Sequence, residues 1–114
     1  MKEDMELQIG EQGEQVYPYA TEFTNGKISD SLSAEISELS KKGYLLLKEN
    51  DITGAQAAFN HILELEDNNN YALVGLGDSE RKQNKFKEAI KYYNDCLTHH
   101  PGNNYALFGL ADCY

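Results

Sequence analysis

The sequence repeats itself with a fixed, 34-residue period. Residues 69–80, NNYALVGLGDSE, and residues 103–114, NNYALFGLADCY, are identical at eight of twelve positions. A fixed period of this length is typical of stacked copies of one helical unit, because a single unit cannot bury its apolar face alone. The repeat therefore restricts the possible folds more strongly than any other feature of the chain, and it predicts an array of similar units.

Apolar residues at helical spacing predict two helical hairpins and the start of a third. We expect helices over residues 33–49, between Asp51 and the Asn-rich turn EDNNN, over residues 71–81, from Phe86 to the HHPG turn, and from Tyr105 onward. Asp51 is placed to cap the second helix, and Asn103 or Asn104 to cap the fifth. Two hairpins with this pattern predict an all-α structure.

The residues that recur resemble the motif of the tetratricopeptide repeat family. The repeats span residues 36–69, 70–103 and 104–114, the last one partial. The second repeat departs from the motif at Glu80, where the family usually has Tyr, and the first departs at Lys42 and Asp67, where Leu and Pro are usual. The matching positions hold packing residues, which in the second repeat are Leu73, Leu76, Gly77, Ala89, Tyr93, Cys96 and Pro101.

The resemblance implies an α-α superhelix of antiparallel helix hairpins and a non-catalytic protein–protein interaction module. In the family, the first helix of each hairpin lines a concave groove that receives a peptide or a helix of a partner. Carried over position by position, the groove residues expected in this chain are Tyr44, Lys48, Tyr71, Val74, Asp78, Arg81, Lys82, Tyr105, Phe108 and Asp112. We expect apolar side chains of the partner to be buried on Tyr71, Val74, Tyr105 and Phe108, although some of these residues could instead fill space between neighbouring helices.

One subtype of the family clamps the acidic carboxyl terminus of chaperones with Lys, Asn and Arg. The corresponding positions here hold Ser40, Tyr44, Gly75, Tyr105 and Gly109, so this clamp is absent. The formal net charge of −9 also disfavours an acidic ligand, nucleic acid or an acidic membrane surface.

Residues 1–30 precede the repeats and form an acidic leader. Its first residues lack the apolar run of a secretory signal or a membrane span, so we expect a cytoplasmic location. The stretch QVYPYATEF, residues 15–23, favours an extended path because of Pro18. Two interpretations remain open: a flexible acidic tail, or a segment that occupies the groove of its own or a neighbouring chain.

Catalytic, cofactor and metal chemistry finds little support in the sequence. His99 and His100 are adjacent on a helix and point in different directions, so they cannot chelate one metal together. Asp78 and Asp112 are not accompanied by a nucleophile, and we expect Cys96 and Cys113 to be small packing residues. We therefore expect no enzyme activity, no cofactor and no metal site.

The repeat breaks off inside its third copy, which predicts a truncated fragment of a longer repeat protein. Two alternatives to a free-standing interaction module follow. The chain could be the regulatory or scaffold end of a longer, enzymatic protein. It could also be a self-associating structural module that forms a homodimer through its open C-terminal end or through the leader.

Overall fold

The computed structural model describes residues 31–114, which form five α-helices and, within that range, no strand. The helices are α1 (Ser31–Lys48), α2 (Ile52–Leu65), α3 (Asn70–Lys82), α4 (Phe86–His99) and α5 (Asn104–Cys113). The all-α repeat architecture predicted from the sequence is confirmed. Those helix ends that were predicted by residue number lie within two residues of the observed ends. The leader predicted for residues 1–30 lies outside the described residues.

Polar side chains cap the amino-terminal ends of three of the helices. The Asp51 carboxylate accepts a hydrogen bond from the backbone N–H of Gly54 at the start of α2. The Asn69 side chain accepts from the N–H of Ala72 in α3 at 3.0 Å, and Asn103 does the same for Ala106 in α5. These bonds satisfy backbone donors that have no partner within a helix, so they define where each helix starts.

Asparagine also forms three of the turns between helices. Asn50, Asn68 and Asn84 adopt left-handed backbone conformations, with φ of 68°, 58° and 63°. Asn tolerates this region better than other residues with a Cβ, because its short polar side chain can bond to the local backbone. The chain can therefore reverse direction within a few residues after α1, α2 and α3.

The helices pack as hairpins that stack on one another. α1 packs against α2 and α3 against α4, while α2 contacts α3 and α4 contacts α5 across the boundaries between hairpins. The first helices also touch in sequence order, α1 with α3 and α3 with α5. One continuous apolar core results, and α3 lies at its centre with nine of its thirteen residues buried.

Each stacking junction is built from one aromatic ring between two glycines. The Phe59 ring of α2 lies between Gly43 of α1 and Gly75 of α3, and a Cβ at either glycine would come within 3 Å of ring carbons. The Tyr93 ring of α4 repeats this arrangement one repeat later, between Gly77 and Gly109. Glycine is needed at these positions because the ring fills the space that a Cβ would occupy.

Candidate peptide-binding surface

The first helices α1, α3 and α5 present matching residues, one in each repeat. Tyr44, Asp78 and Asp112 occupy one such row. The ten residues predicted from the sequence to line the groove are called the candidate surface below: Tyr44, Lys48, Tyr71, Val74, Asp78, Arg81, Lys82, Tyr105, Phe108 and Asp112. Because α3 contacts both α1 and α5, the structure brings the helices that carry these residues side by side.

The exposure of the candidate surface differs greatly from one residue to the next. Phe108 is 54% exposed, and Lys48 and Asp112 are also exposed. Tyr71, Lys82 and Tyr105 are half-buried. The remaining four are buried, at 2–4% exposure each: Tyr44, Val74, Asp78 and Arg81.

Asp78 is the centre of a buried hydrogen-bond network. Its Oδ2 accepts from the Tyr44 hydroxyl at 2.9 Å, and its Oδ1 accepts from the Tyr93 hydroxyl at 2.5 Å. Arg81 Nη2 donates to the same Oδ1 at 3.2 Å, and Arg81 Nε donates to the Tyr93 oxygen at 3.0 Å. The network joins α1, α3 and α4. In this arrangement the donors that satisfy Asp78 come from within the domain, although the sequence placed Asp78 among the residues expected to line the groove.

Burial and the neighbouring charge have opposite effects on the pKa values of Asp78 and Arg81, but both raise the pKa of Tyr93. Burial raises the pKa of Asp78, while Arg81 and the hydroxyls of Tyr93 and Tyr44 counter that shift because they stabilise the carboxylate. Burial alone would lower the pKa of Arg81, but the neighbouring Asp78 carboxylate raises it. The pKa of Tyr93 is raised by burial and by Asp78, so its hydroxyl keeps its proton and donates.

A second ion pair connects the network to the exposed end of the candidate surface. Arg81 Nη1 lies 3.3 Å from Oδ2 of Asp112 on α5. The Asp112 side chain is 59% exposed, so water screens this pair and its net stabilisation is small. Arg81 therefore contacts two carboxylates of neighbouring repeats. The sequence carried a signal for this contact, since Asp78 and Asp112 recur in register, but it did not identify Tyr93 as a polar partner.

The exposed aromatic part of the candidate surface lies on α5. The rings of Tyr105 and Phe108, one helical turn apart, meet edge to face with centroids 6.4 Å apart. Tyr105 is half-buried and supports Phe108, whose outer face is open to a ligand. A rigid pair of this kind offers apolar contact area at low cost in side-chain entropy.

The positions that a carboxylate clamp would use are filled by packing contacts. Gly75 and Gly109 lie against the rings of Phe59 and Tyr93, so no longer side chain fits there. Ser40 is fully buried. Three of the five corresponding positions are therefore occupied by packing contacts.

Groups that could support other chemistry have structural partners within residues 31–114. Two of the three imidazoles lie against backbone carbonyls: His99 Nδ1 is 3.1 Å from the Asp95 oxygen, and His100 Nε2 is 2.7 Å from the Asn68 oxygen. Cys96 is buried, Cys113 is half-buried, and both are free thiols. Over the same residues no cluster of three or more His, Cys, Asp or Glu side chains is placed to hold a metal ion. No helix in this range has both the length and the apolar character required to cross a membrane.

The repeat geometry agrees with a match to a known family. The family model described as Tetratricopeptide repeat matches the chain twice, over residues 40–104 and over residues 74–114. Together the two matches extend from α1 to the end of α5. No curated protein matches the chain significantly.

Proposed function

The chain belongs to the tetratricopeptide repeat family, and we propose that it binds a peptide or a helix of a partner protein on the candidate surface. Members of this family are generally protein–protein interaction modules. The proposal therefore concerns which surface of this chain is used and what kind of ligand it takes, and it assigns no catalytic step to any residue.

The Tyr105–Phe108 pair, in which Tyr105 is half-buried and Phe108 is exposed, is the observation that carries the proposal. Clustered exposed apolar residues mark binding surfaces, whereas single ones do not, and the Phe108 ring is in contact with the ring of Tyr105. Phe108 is 54% exposed, although Val74, its equivalent in the preceding repeat, is only 2% exposed. The main apolar contact with a ligand is therefore expected at α5, and α1 and α3 contribute mainly through Lys48, Tyr71 and Lys82.

The charges of the candidate surface indicate the ligand class. Asp78 and Asp112 are both paired with Arg81, and Lys48 and Lys82 are the remaining charged residues of the set. The chain as a whole carries a net charge of −9, which disfavours a strongly acidic partner. We infer a ligand with one or two apolar anchors and little net negative charge.

Substitution of the aromatic pair tests this proposal. Peptides selected from a random library against the full chain would be titrated by fluorescence anisotropy against variants. We expect Tyr105→Ala with Phe108→Ala to weaken binding by roughly tenfold or more, because truncating a central aromatic anchor typically costs more than about 1 kcal/mol. The circular dichroism spectrum of the double variant is expected to remain helical.

Leu107→Ala provides the matched control, because Leu107 is 46% exposed on the same helix but is not part of the candidate surface. Equal loss of affinity in the control and in the double variant would contradict the proposal. Loss of helicity in the double variant would assign Tyr105 and Phe108 to the core instead.

A further inference from the structure

The acidic leader, residues 1–30, is attached to one of the helices that carry the candidate surface. It is followed directly by Ser31, the first residue of α1. The leader itself lies outside the described residues, but its sequence and its point of attachment both bear on where it binds. If the candidate surface takes a peptide, the leader is a peptide that is permanently tethered to it.

The aromatic residues of the leader fall on one face of an extended chain. Tyr17, Tyr19 and Phe23 are separated by two and four positions, and alternate residues of an extended chain point to the same side. Pro18 favours an extended path. Residues 15–23 contain one charged residue, which is Glu22. This segment therefore has the apolar anchors and the small charge inferred above for the ligand.

The length of the segment matches the width of the surface. Tyr17 and Phe23 are six residues apart, which is about 20 Å in an extended chain. α1 contacts α3 and α3 contacts α5, and helices in contact lie about 8–10 Å apart, so the three helices extend over about 16–20 Å. Residues 24–30 can span up to about 25 Å, which is close to the whole length of α1. The linker is therefore long enough for the segment to lie across the surface.

The charges of the leader and of the candidate surface have opposite signs. The surface has three cationic residues, Lys48, Arg81 and Lys82, and two carboxylates, Asp78 and Asp112, so its net charge is positive. The leader has two lysines and seven acidic residues. Opposite net charges favour encounter between two segments. The surface is thus suited to the leader although the chain as a whole is acidic.

We propose that residues 15–23 bind to the candidate surface of their own chain and compete there with a partner peptide, an inference that rests on the proposed function because one surface takes both ligands. A short linker gives such a segment an effective concentration in the millimolar range. A segment that binds with a dissociation constant of about 100 µM would then weaken the binding of a partner peptide about tenfold. The leader thereby limits binding to partners that can displace it.

Two variants of the full chain, both changed only in the leader, test the competition. The leader variant carries Tyr17→Ala, Tyr19→Ala and Phe23→Ala, so it lacks all three aromatic anchors. The control variant carries Leu7→Ala and Ile9→Ala, which removes two apolar side chains of the leader that lie outside the segment.

A labelled synthetic peptide of residues 13–25 serves as the probe, because it contains the complete segment. Its affinity for each form of the chain would be measured by fluorescence anisotropy. We expect the probe to bind the leader variant roughly tenfold or more tightly than it binds the unmodified chain, because the tethered competitor is lost. The control variant is expected to bind the probe as weakly as the unmodified chain does.

Substitutions on α5, introduced into the leader variant, locate the binding site. Tyr105→Ala with Phe108→Ala is expected to weaken binding of the probe by roughly tenfold or more, whereas Leu107→Ala in the same background is expected to have little effect. Phe108→Ala alone repeats the test without changing the half-buried Tyr105, and its side chain is 54% exposed, so the fold should tolerate the change.

Three results would overturn the inference. Equal affinity of the probe for the unmodified chain and the leader variant would show that the leader does not occupy the surface. Equal affinity for the leader variant with and without the Tyr105 and Phe108 substitutions would place the bound probe elsewhere. A dimer in light scattering that is lost in the leader variant would place the segment on a neighbouring chain.

Peptides selected from a random library separate this inference from the proposed function. If they bind the leader variant through Tyr105 and Phe108 while the probe does not bind it, the proposed function stands and the leader is not the competitor. If neither the selected peptides nor the probe bind the leader variant, both the proposed function and the inference are wrong.

Discussion

Cys96 illustrates how the environment of a single residue decides its chemistry. It occupies the position of Ile62 in the preceding repeat, has no exposed surface and packs in the apolar core. Burial raises the pKa of its thiol from 9.0 to about 11. Cys113 is half-buried, and burial also raises its pKa. The two thiols therefore differ mainly in access to solvent.

We predict that a thiol reagent at pH 8 labels Cys113 in the folded chain and labels Cys96 only after unfolding. Between pH 9 and pH 11 the unfolded thiol of Cys96 loses its proton while the folded one keeps it. The free energy of unfolding should therefore fall as pH rises through this window, by at most roughly 1.4 kcal/mol per pH unit for one group. Urea denaturation at several pH values measures this slope.

Cys96→Ala is expected to flatten that part of the pH profile, and Cys113→Ala is the matched control. Tyr93 also has a raised pKa and contributes to alkaline destabilisation in both variants, so the difference between their slopes compares the Cys96 thiol with the Cys113 thiol, whose pKa burial also raises. A Cys96→Ala variant with the same slope as the unmodified chain would show that the Cys96 thiol does not contribute.

Local signals in the sequence predicted single residues well where the interaction itself is local. Asp51 was identified as a cap, and Asn103 was one of two candidates for another; each accepts a hydrogen bond from a backbone N–H three residues later. Asp78 was placed on a surface open to a ligand. Its tyrosine partners lie 34 and 15 residues away in sequence, and no spacing rule within one helix identifies them.

At the scale of elements, the glycine pairs fix how closely the helices pack. Gly75 of α3 and Gly43 of α1 both lie against the Phe59 ring, so a new methyl group at either position would meet ring carbons. The sequence predicted that small residues allow close approach between helices. It did not reveal that each ring contacts two glycines, because the second glycine belongs to the next repeat.

Gly75→Ala is therefore expected to destabilise the fold by about 1–3 kcal/mol despite the better helix propensity of alanine. Thermal or urea denaturation measures the change. Gly102→Ala is the control, since a Cβ at Gly102 would have no neighbour within 4 Å, and its effect should be close to zero.

A smaller side chain at position 59 should relieve the clash with the methyl group that Gly75→Ala introduces. Phe59→Leu alone is expected to be destabilising, because it leaves a gap between α1 and α3. When Phe59→Leu is combined with Gly75→Ala, the total loss in the free energy of unfolding should be smaller than the sum of the two separate losses. The reason is that the leucine leaves room for the new methyl group. Strict additivity would show that the methyl group at position 75 is accommodated without contact with Phe59.

At the scale of the whole molecule, the protection of backbone amides against hydrogen exchange is expected to differ from helix to helix. α3 has neighbours on several sides and nine buried residues, whereas α5 has two buried residues among its ten. In a repeat array each unit is stabilised mainly by its direct neighbours, so the helix with fewest buried residues opens at the lowest free energy.

We predict that backbone amides of α5 exchange with deuterium at least roughly tenfold faster than those of α3 under native conditions, which corresponds to an opening free energy about 1.4 kcal/mol lower. Hydrogen-exchange mass spectrometry with peptide-level resolution measures both helices in one experiment. Equal protection of α3 and α5 would mean that residues 31–114 open as a single cooperative unit.

The whole-molecule architecture was the part most accessible from the sequence. The fixed repeat period, the helical spacing of apolar residues and the turn-forming asparagines all predict the same stack of hairpins, and the structure agrees. Which members of the candidate surface are exposed could not be predicted in the same way. Val74 and Phe108 occupy equivalent positions, but Val74 is 2% exposed and Phe108 is 54% exposed. Exposure depends on the neighbours that each helix has in the stack.

The two glycines of α3 that lie against aromatic rings limit where residues can be inserted into this sequence. Gly75 faces the first ring and Gly77 the second, and two residues advance a helix by about 200°, so the two contacts lie on nearly opposite sides. One residue inserted between them would turn the second contact by about 100° and bring a side chain with a Cβ against Tyr93. Length changes within α3 are thus expected to disrupt the stack, whereas extra residues can be accommodated in the turns, where no ring depends on the phase of the helix.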